Sequence, residues 1–434
     1  MPSLPRVTPI PPSPRGLPWL GSGASLLRDP TAFLQRERQR LGDTFLTDAL
    51  GYRLFFTFSP EGVRRLYALP EEEASFGLAT YTLVFKHKVP LELVAGRRHR
   101  PHDLFAGADV EFYLDTLEDA VHLQLEELGD GGRFEVFHLA RRLGHRLGLA
   151  CWAGPEAAEA RQLDRLIPLL DRLDASDSFV RPLSTLASLA TGKRRERRAM
   201  RRIEAIFAEI LRERDRRGRP GDFLDRVYEA WADAPVGERQ IGAARDVVVI
   251  HMGAQSNLYA ALGWTLVDLL LRPELLARVQ AGDDALLERC ANESIRMAQR
   301  SLTLRQVLRP LEFDDGHRAY ALSPGVLIAT MLSVTNTQAG AGLDRFDPGH
   351  YVGRRLSDDV ALPTQELVST FGHGRHACPA QRFSIVAIRT AVRRLLDRYA
   401  LEPLFSAAAP RRRQIGGVAR AARPCPVAYR RRQT

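Results

Sequence analysis

The stretch that decides the fold is FGHGRHACPAQRF, residues 371–383. It places one cysteine, Cys378, behind a turn rich in glycine and histidine and just before a helical pattern. Gly372 and Gly374 allow the chain a tight turn. Pro379 suits the first turn of a helix, so we expect Cys378 at or beside the helix N-cap. The free N–H groups and the helix dipole would stabilise a thiolate there.

Three chemistries are open to this cysteine. A zinc site could use His373, His376 and Cys378, but three ligands within six residues do not match the spacing of structural zinc sites. A catalytic thiol would need a base, and no nucleophile signature surrounds the cysteine. Thiolate ligation of a haem iron is the third and favoured option. Phe371 could then cover the sulfur side of the ring, and His376 could reach a propionate.

The composition is that of a protein that needs no disulfides. The chain has 434 residues, 45% hydrophobic and 26% charged, which is enough to bury a substantial core. Its four cysteines are far apart and show no CxxC pairing, which indicates a reducing compartment. We find neither a signal-peptide pattern nor the ~20 uncharged apolar residues of a membrane span. We therefore expect a soluble cytoplasmic protein.

The net charge of +10 is carried almost wholly by arginine, because the chain has only three lysines, Lys86, Lys88 and Lys193. Nucleic-acid binding is one interpretation of basic runs such as KRRERRAMRR (193–202). This run lacks aromatic residues for base stacking and contains Glu196. We interpret it as a solvated helix face and expect no nucleic-acid partner.

The apolar pattern predicts a mainly α fold with a minor β portion, in a single domain over 1–434. A helix is predicted over 28–42, a strand pair over 44–59, and mostly helices from 108 to 300. Short β-like pieces follow, and a last helix is predicted from about Ala380 to Tyr399.

One predicted helix is unusual. Segment 243–273 is apolar around most of its circumference, so it should run through the interior. At its middle lie Gly253, Gln255, Ser256 and Asn257, which are costly in a buried helix unless they are partnered. Either the helix kinks and these groups satisfy each other, or its centre lines a reaction cavity. The segment alone leaves both open.

Together these features resemble the cytochrome P450 family over nearly the whole chain. The family's cysteine loop reads F-x-x-G-x-[R/H]-x-C-x-[G/A], and Phe371, Gly374, His376, Cys378 and Ala380 fit its fixed places. The proline-rich start PPSPRGLPWLG is similar to the family's entry segment. The resemblance implies the cytochrome P450 fold and a haem b cofactor with Cys378 as the iron ligand.

Two further motifs carry the resemblance. ESIR supplies Glu293 and Arg296 of the family's E-x-x-R pair, and FDPGHY (346–351) places His350 where arginine is common. A Glu and an Arg three residues apart are usually only a surface ion pair. Here the two residues lie as far before the cysteine loop as the family's pair does, which makes the motif more informative.

The resemblance also implies the cofactor contacts. Arg305 fits the arginine that pairs with a haem propionate, and a second basic contact is expected from His99 or Arg100. The full set of predicted cofactor-binding residues is Cys378, Phe371, Gly372, Gly374, His376, Arg305, His99, Arg100 and Ala254.

The centre of the long helix departs from the family pattern. The family commonly has [A/G]-G-x-[D/E]-T there, whereas Ser256 stands in place of the acid and Asn257 in place of the alcohol. The sequence of this helix centre resembles that of prostacyclin synthase and the bile-acid sterol hydroxylases. We assign catalytic roles to Asn257, Ser256 and Gln255, although a carboxamide cannot deliver a proton as readily as an acid.

The resemblance favours monooxygenation of an apolar secondary metabolite such as a lipid, terpenoid, polyketide or aromatic compound. O2 is then a substrate, and a ferredoxin or flavodoxin would dock on Arg375, Arg382 and Arg389. The alternatives are a redox-neutral isomerase or dehydratase, a peroxide-driven enzyme, and a haem-based binding protein.

Several apolar segments could line the substrate cavity. For most of their residues, and for His251 in particular, a place in the packed interior is the preferred interpretation. The candidates are His251, Met252, Leu302, Thr303 and Val418.

Overall fold

The computed structural model describes residues 10–14, 16, 21–97, 116–176 and 182–433, with only the backbone described at 182 and 183. The chain divides into two compact units, each assembled from three segments. The first unit comprises Met1–Phe85, Gln299–Cys378 and Arg412–Gly417, and the second comprises Lys86–Ala298, Pro379–Arg411 and Val418–Thr434. Helices outweigh strands, which confirms the predicted mainly α fold. A single domain over 1–434 stays a prediction.

The helices and strands of the described residues are numbered in chain order. The α-helices are α1 (Gly23–Arg28), α2 (Pro30–Leu41), α3 (Pro60–Ala68), α4 (Phe76–Thr80), α5 (Leu91–Val94), α6 (Thr116–Leu128), α7 (Val136–Ala153), α8 (Pro155–Ala158), α9 (Ala160–Leu173), α10 (Pro182–Ala190), α11 (Arg194–Arg217), α12 (Phe223–Glu229), α13 (Val236–Leu270), α14 (Pro273–Gln280), α15 (Asp284–Ala298), α16 (Leu332–Gln338) and α17 (Gln381–Arg398). The strands are β1 (Thr44–Ala49), β2 (Tyr52–Thr57), β3 (Ala74–Ser75), β4 (Gly131–Glu135), β5 (Leu302–Val307), β6 (Leu311–Asp314), β7 (Ala319–Leu322), β8 (Leu327–Met331), β9 (Tyr399–Pro403) and β10 (Pro426–Arg431).

The first unit is built on a five-stranded sheet in the order β1-β2-β8-β5-β3. β1 pairs antiparallel with β2, Thr44 opposite Thr57, which confirms the strand pair predicted over 44–59. β2 and β8 run parallel, whereas β8 and β5 run antiparallel. Apolar side chains of these strands form a buried cluster with the hairpin β6–β7, in which Phe55 meets Phe313 edge-on. Strand β5 is thus held between β8 and β3 in this sheet.

The second unit is mainly helical and carries a small sheet in the order β4-β10-β9. Its long central helix, α13, packs along α7, which is buried over most of its length. A Cβ added at Gly144 of α7 would lie 2.9 Å from the Tyr259 Cβ of α13. Glycine at this position therefore lets the two helices approach closely.

Helix α13 confirms the interior helix predicted over 243–273. The helix begins earlier than predicted, at Val236, since the polar residues that follow Pro235 are also helical. It ends at Leu270. Most of the helix is buried, and α-helical structure continues through Gly253 without interruption.

The basic run 193–202 lies on α11, where Arg194, Arg195 and Arg198 are exposed. This confirms the prediction of a solvated helix face. Across the described residues, the helices are too short or too polar to cross a bilayer.

The lysines differ in their surroundings. Lys88 Nζ donates to the Asp174 carbonyl, and Lys193 Nζ donates to the Val89 carbonyl at 2.7 Å. Lys86, in contrast, is exposed.

Candidate active site

The cysteine loop (371–378) closes on itself through its backbone. Cys378 N donates to the Phe371 carbonyl oxygen at 2.7 Å. Gly372 and Gly374 have φ angles of +80° and +59°, in the left-handed region that favours glycine. The tight turn predicted from the two glycines is therefore confirmed.

A buried asparagine braces the start of this loop. Asn336 of α16 donates from Nδ2 to Ser369 O at 2.9 Å and accepts from Ser369 N at 2.8 Å. Ser369 Oγ in turn accepts from Gly372 N at 2.9 Å. The His373 ring contacts the backbone as well, with Nε2 2.9 Å from Val368 O. The sequence carries no signal for Asn336, because its partner lies 33 residues further along the chain.

Cys378 differs from the other cysteines in exposure. Its side chain is half-exposed, whereas Cys151, Cys290 and Cys425 are buried. Burial raises the pKa of Cys151 and of Cys290 to about 12, and that of Cys425 to about 11. These three thiols therefore stay protonated and unreactive. This confirms their prediction as small buried hydrophobes.

Cys378 lies farther from the last helix than the sequence predicts. Helix α17 begins at Gln381 with Ala380 as its N-cap, and its first bond runs from Ser384 N to Ala380 O. The prediction of Cys378 at or beside the N-cap is wrong, because Pro379 precedes the N-cap instead of following it. The cysteine thus lies two residues before the N-cap.

Arg305 and His376 both approach one carboxylate, that of Glu71. Arg305 Nη1 donates to Glu71 Oε1 at 2.9 Å, and His376 Nε2 lies 3.0 Å from the same oxygen. Phe76 N donates to both carboxylate oxygens at 3.1 Å. Arg305 Nη2 donates to Tyr67 O at 3.2 Å. Sequence reasoning missed Glu71, which is hidden in the acidic run EEE (71–73).

The cluster of Arg305 and His376 has unused hydrogen-bonding capacity. Burial lowers the pKa of His376, so its ring is neutral at pH 7. Arg305 Nε and His376 Nε2 are buried and have no hydrogen-bond partner among the described residues. The contact of His376 with Glu71 is close enough for an ion pair but not aligned as a hydrogen bond. Burial lowers the pKa of Arg305, although the nearby Glu71 carboxylate opposes this. Buried ring and guanidinium nitrogens without a partner are costly, so the cluster suits a further hydrogen-bonding group such as a carboxylate.

The centre of α13 is polar and only partly satisfied. Gly253 is exposed, Ala254 is half-buried, and Gln255 and Ser256 are buried. Neither amide atom of Gln255 has a hydrogen-bond partner within the described chain. Asn257 bonds at both ends of its carboxamide, donating from Nδ2 to Gly253 O at 3.3 Å and accepting at Oδ1 from a backbone N–H at 2.9 Å. These groups therefore do not simply satisfy one another.

His251 lies in the interior of the second unit. Its Nε2 is 3.0 Å from His145 Nδ1, and His145 Nε2 is 3.4 Å from Asp171 Oδ1. Burial lowers the pKa of His251 to about 3 and holds the pKa of His145 well below its ordinary value. Both rings are therefore neutral at pH 7. This confirms His251 as an interior histidine, and its alternative place on the substrate-cavity wall is wrong.

The other cavity candidates are divided between the units. Met252 of α13 is half-buried and Val418 is buried, both in the second unit. Leu302 and Thr303 lie half-buried on β5 in the first unit. The predicted haem contacts His99 and Arg100 fall outside the described residues.

The E-x-x-R pair is buried on α15. Arg296 donates from Nε and Nη2 to the two Glu293 carboxylate oxygens at 2.7 and 2.6 Å, and neither side chain is exposed. This is a bidentate buried pair, which is stronger than a surface one. His350, the predicted third member, lies half-buried in the first unit, in the 3-10 turn Pro348–Tyr351.

A separate cavity of about 490 Å³ lies in the second unit. Its described lining carries more positive than negative side chains, and it includes none of the predicted site residues. Its charged lining residues are Lys88, Arg141, Arg172, Arg411, Arg420, Arg423, Glu135, Asp171 and Asp174. Such a polar lining is unlike that of a cavity for an apolar substrate.

No family model matches the chain. It is 24% identical over 418 residues to the cytochrome P450 monooxygenase pyvB of Aspergillus violaceofuscus, covering 90% of this chain and 83% of the relative. It is 24% identical over 442 residues to an abscisic acid 8'-hydroxylase 3 of Oryza sativa subsp. indica, covering 91% and 81%. It is 22% identical over 451 residues to the 24-hydroxycholesterol 7-alpha-hydroxylase of Mus musculus, covering 96% and 92%.

The chain is thus similar over about 90% of its length to a named cytochrome P450 monooxygenase, which supports the resemblance to the cytochrome P450 family. Haem is the cofactor of a P450, and the described residues fit it. Cys378 offers a half-exposed thiol as iron ligand. The unpartnered nitrogens of Arg305 and His376 suit the haem carboxylates.

Proposed function

We propose that this protein is a haem-thiolate monooxygenase that inserts one atom of O2 into an apolar small molecule. When bound, haem with a thiolate ligand supplies O2 activation, because the thiolate donates electron density that favours O–O cleavage. The observation that carries the proposal is the closed loop that keeps Cys378 half-exposed while the other three cysteines are buried. Relatives named as hydroxylases support oxygen insertion.

The chain's own residues have separate tasks in this proposal. Arg305 and His376 bind the haem carboxylates. The Ser256 hydroxyl can pass a proton, and the second N–H of Asn257 Nδ2 can donate a hydrogen bond. Gln255 is costly to keep buried with both amide atoms unpartnered, which favours a functional role for it.

The experiment uses haem-loaded protein with a surrogate ferredoxin system, NADPH and isotopically labelled O2. We expect O2-dependent product that carries one labelled oxygen atom. A Cys378→Ala variant should lose the reduced, CO-bound Soret band typical of thiolate ligation. Failure of the protein to take up haemin, or an unchanged optical signature in Cys378→Ala, would overturn the proposal.

A second candidate is a redox-neutral isomerase or dehydratase acting on an oxygenated substrate. It is favoured by Ser256 and Asn257, which stand where the family commonly has an acid and an alcohol. Turnover under anaerobic conditions without reductant would identify this activity. Product formed only with added peroxide would identify a peroxide-driven enzyme. Shifts of the haem spectrum without any turnover would identify a haem-based binding protein.

The proposed electron donor is an acidic ferredoxin or flavodoxin. Arg375 and Arg382 are exposed, and Arg389 pairs with Glu288 at 2.6 Å. A basic surface attracts an acidic carrier, and added salt weakens that attraction. Arg375→Glu should therefore slow reduction by the donor while substrate affinity stays unchanged. Equal reduction rates for wild type and variant would exclude Arg375 from the docking surface.

The proposed substrate is a lipid, terpenoid, polyketide or aromatic secondary metabolite, and the proposed location is the cytoplasm. The name of one relative includes a hydroxycholesterol, which supports an apolar substrate. Screening such compounds by shifts of the haem spectrum would identify the class.

A further inference from the structure

The charged cavity of the second unit, of about 490 Å³, has the size of a small-molecule site. Its described lining carries six arginine or lysine side chains against three carboxylates, which leaves a clear excess of positive charge. Two aromatic side chains of the lining, Phe137 and Tyr259, are buried. A concave surface with such an excess of one charge concentrates ions of the opposite sign.

The three carboxylates of the lining already have hydrogen-bond donors within the protein. The two Glu135 oxygens accept from backbone N–H groups at 3.1 and 2.8 Å. Asp171 accepts from Arg141 Nε at 3.1 Å. Asp174 accepts from a backbone N–H at 2.9 Å and lies 3.4 Å from a guanidinium nitrogen of Arg420. Each carboxylate is therefore satisfied by the protein itself and needs no cation from a ligand.

The remaining four cations account for the excess of positive charge. Lys88 Nζ and Arg411 Nε donate to backbone carbonyl oxygens, which carry no net charge. Arg172 and Arg423 are exposed, and within the described part of the chain their guanidinium groups pair with no carboxylate. A guanidinium group presents five N–H donors in a planar fork that matches the geometry of a carboxylate or a phosphate.

We propose that this cavity binds a small organic anion with two or more negative charges, either a polycarboxylate or a phosphate ester. The arginines would bind its anionic groups through charge-assisted hydrogen bonds. The Arg420 guanidinium lies 5.1 Å from the centre of the Tyr259 ring, a contact that helps to fix its orientation. The site is separate from the residues that we expect to bind haem, so the inference goes beyond the proposed function.

The measurement is isothermal titration calorimetry of the haem-loaded full-length chain at low ionic strength. Citrate is the polycarboxylate probe, glycerol phosphate is the phosphate-ester probe, and glycerol is the uncharged control. We expect at least one of the two anions to bind at a single site, and to bind more weakly as salt is added. Glycerol should not bind. The anion with the higher affinity identifies the class of ligand.

Exposed arginines provide matched variants. Arg172→Gln combined with Arg423→Gln removes two positive charges from the lining, whereas Arg161→Gln removes an exposed charge from the same helix α9 outside the lining. All three side chains are exposed, so these substitutions should leave the fold intact. We expect the double variant to bind the anion roughly tenfold more weakly than wild type, and Arg161→Gln to bind it like wild type.

Failure of both anions to bind, or equal affinities in the double variant and wild type, would overturn the inference. Competition between the anion and compounds that shift the haem spectrum would also overturn it, because the cavity would then belong to the substrate site. Binding is measured without O2 or an electron donor. A lack of labelled product would therefore count against the proposed monooxygenase alone.

Discussion

Glu71 orients Arg305 and His376, the two side chains that we expect to bind the haem carboxylates. Glu71→Gln removes the charge that holds Arg305 and His376 together, so the site should be less well organised. Hydrogen bonds to charged groups contribute about 1.5–3 kcal/mol. We expect haemin to bind the haem-free variant roughly tenfold more weakly, as measured by absorbance titration.

Glu73 provides the control for this prediction. It lies two residues away and pairs with the exposed Arg309 at 2.8 Å. Glu73→Gln should bind haemin like wild type, because exposed ion pairs contribute little. If Glu71→Gln also bound like wild type, the cluster would not depend on Glu71.

Gly372 and Gly374 form a second matched pair. A Cβ at Gly372 would lie 2.8 Å from the His376 carbonyl oxygen, whereas a Cβ at Gly374 meets nothing within 4 Å. Both alanine variants pay the left-handed backbone cost of about 1–2 kcal/mol. Only Gly372→Ala adds a clash with backbone, so it should unfold at a lower urea concentration than Gly374→Ala. Equal midpoints would contradict a steric role for Gly372.

At the scale of single residues, the sequence predicts local chemistry better than distant contacts. The tight turn before Cys378 could be predicted because the two glycines that form it lie within the same short loop. Glu71 and Asn336 could not, because their partners Arg305 and Ser369 lie far along the chain. The roles of His99 and Arg100 stay predictions.

The buried pair on α15 stabilises its element through charge compensation. Glu293→Gln removes the buried counter-charge that Arg296 contacts through two nitrogens, and breaking such a pair costs about 3–5 kcal/mol. Chemical denaturation should show this loss. Glu118→Gln, which removes the exposed partner of Arg394, should change stability by less than about 1 kcal/mol. If Glu293→Gln also changed the free energy of unfolding by less than about 1 kcal/mol, the buried pair would not be needed for folding.

At the scale of elements, long helices and the β1–β2 pair were predictable, whereas several short strands with distant partners were not. Apolar periodicity predicted α2, α13 and α17 to within a few residues at most ends, because each buries a continuous face. Strands β3, β4, β9 and β10 were missed, since their formation depends on partners that are distant in sequence. The position of Cys378 relative to the N-cap of α17 was predicted wrongly, because Pro379 is equally compatible with the turn that precedes a helix.

The neutral pair of His145 and His251 should make the whole molecule sensitive to acid. Both pKa values lie below the unfolded value of about 6.5, so below that pH the unfolded chain binds more protons than the folded one. Stability should therefore fall on acidification from pH 6.5, by at most about 1.4 kcal/mol per pH unit for each histidine. Urea unfolding at several pH values measures this slope.

Asp268 acts in the opposite direction, because burial raises its pKa to about 6. A variant with His145→Gln and His251→Asn isolates the histidine contribution from it. The charged groups nearest the pair, Asp171, Arg141 and Arg420, are unchanged in this variant. We expect a flatter pH profile than in wild type. Parallel profiles would show that other groups control acid sensitivity.

The near absence of lysine gives the molecule a single preferred point for labelling at side-chain amines. Guanidinium groups stay protonated where ε-amines react with succinimidyl esters. Lys88 and Lys193 are engaged with backbone carbonyls, and only Lys86 among the three is exposed. A dye or an electrode tether attached through side-chain amines would therefore fix itself at Lys86, the first residue of the second unit.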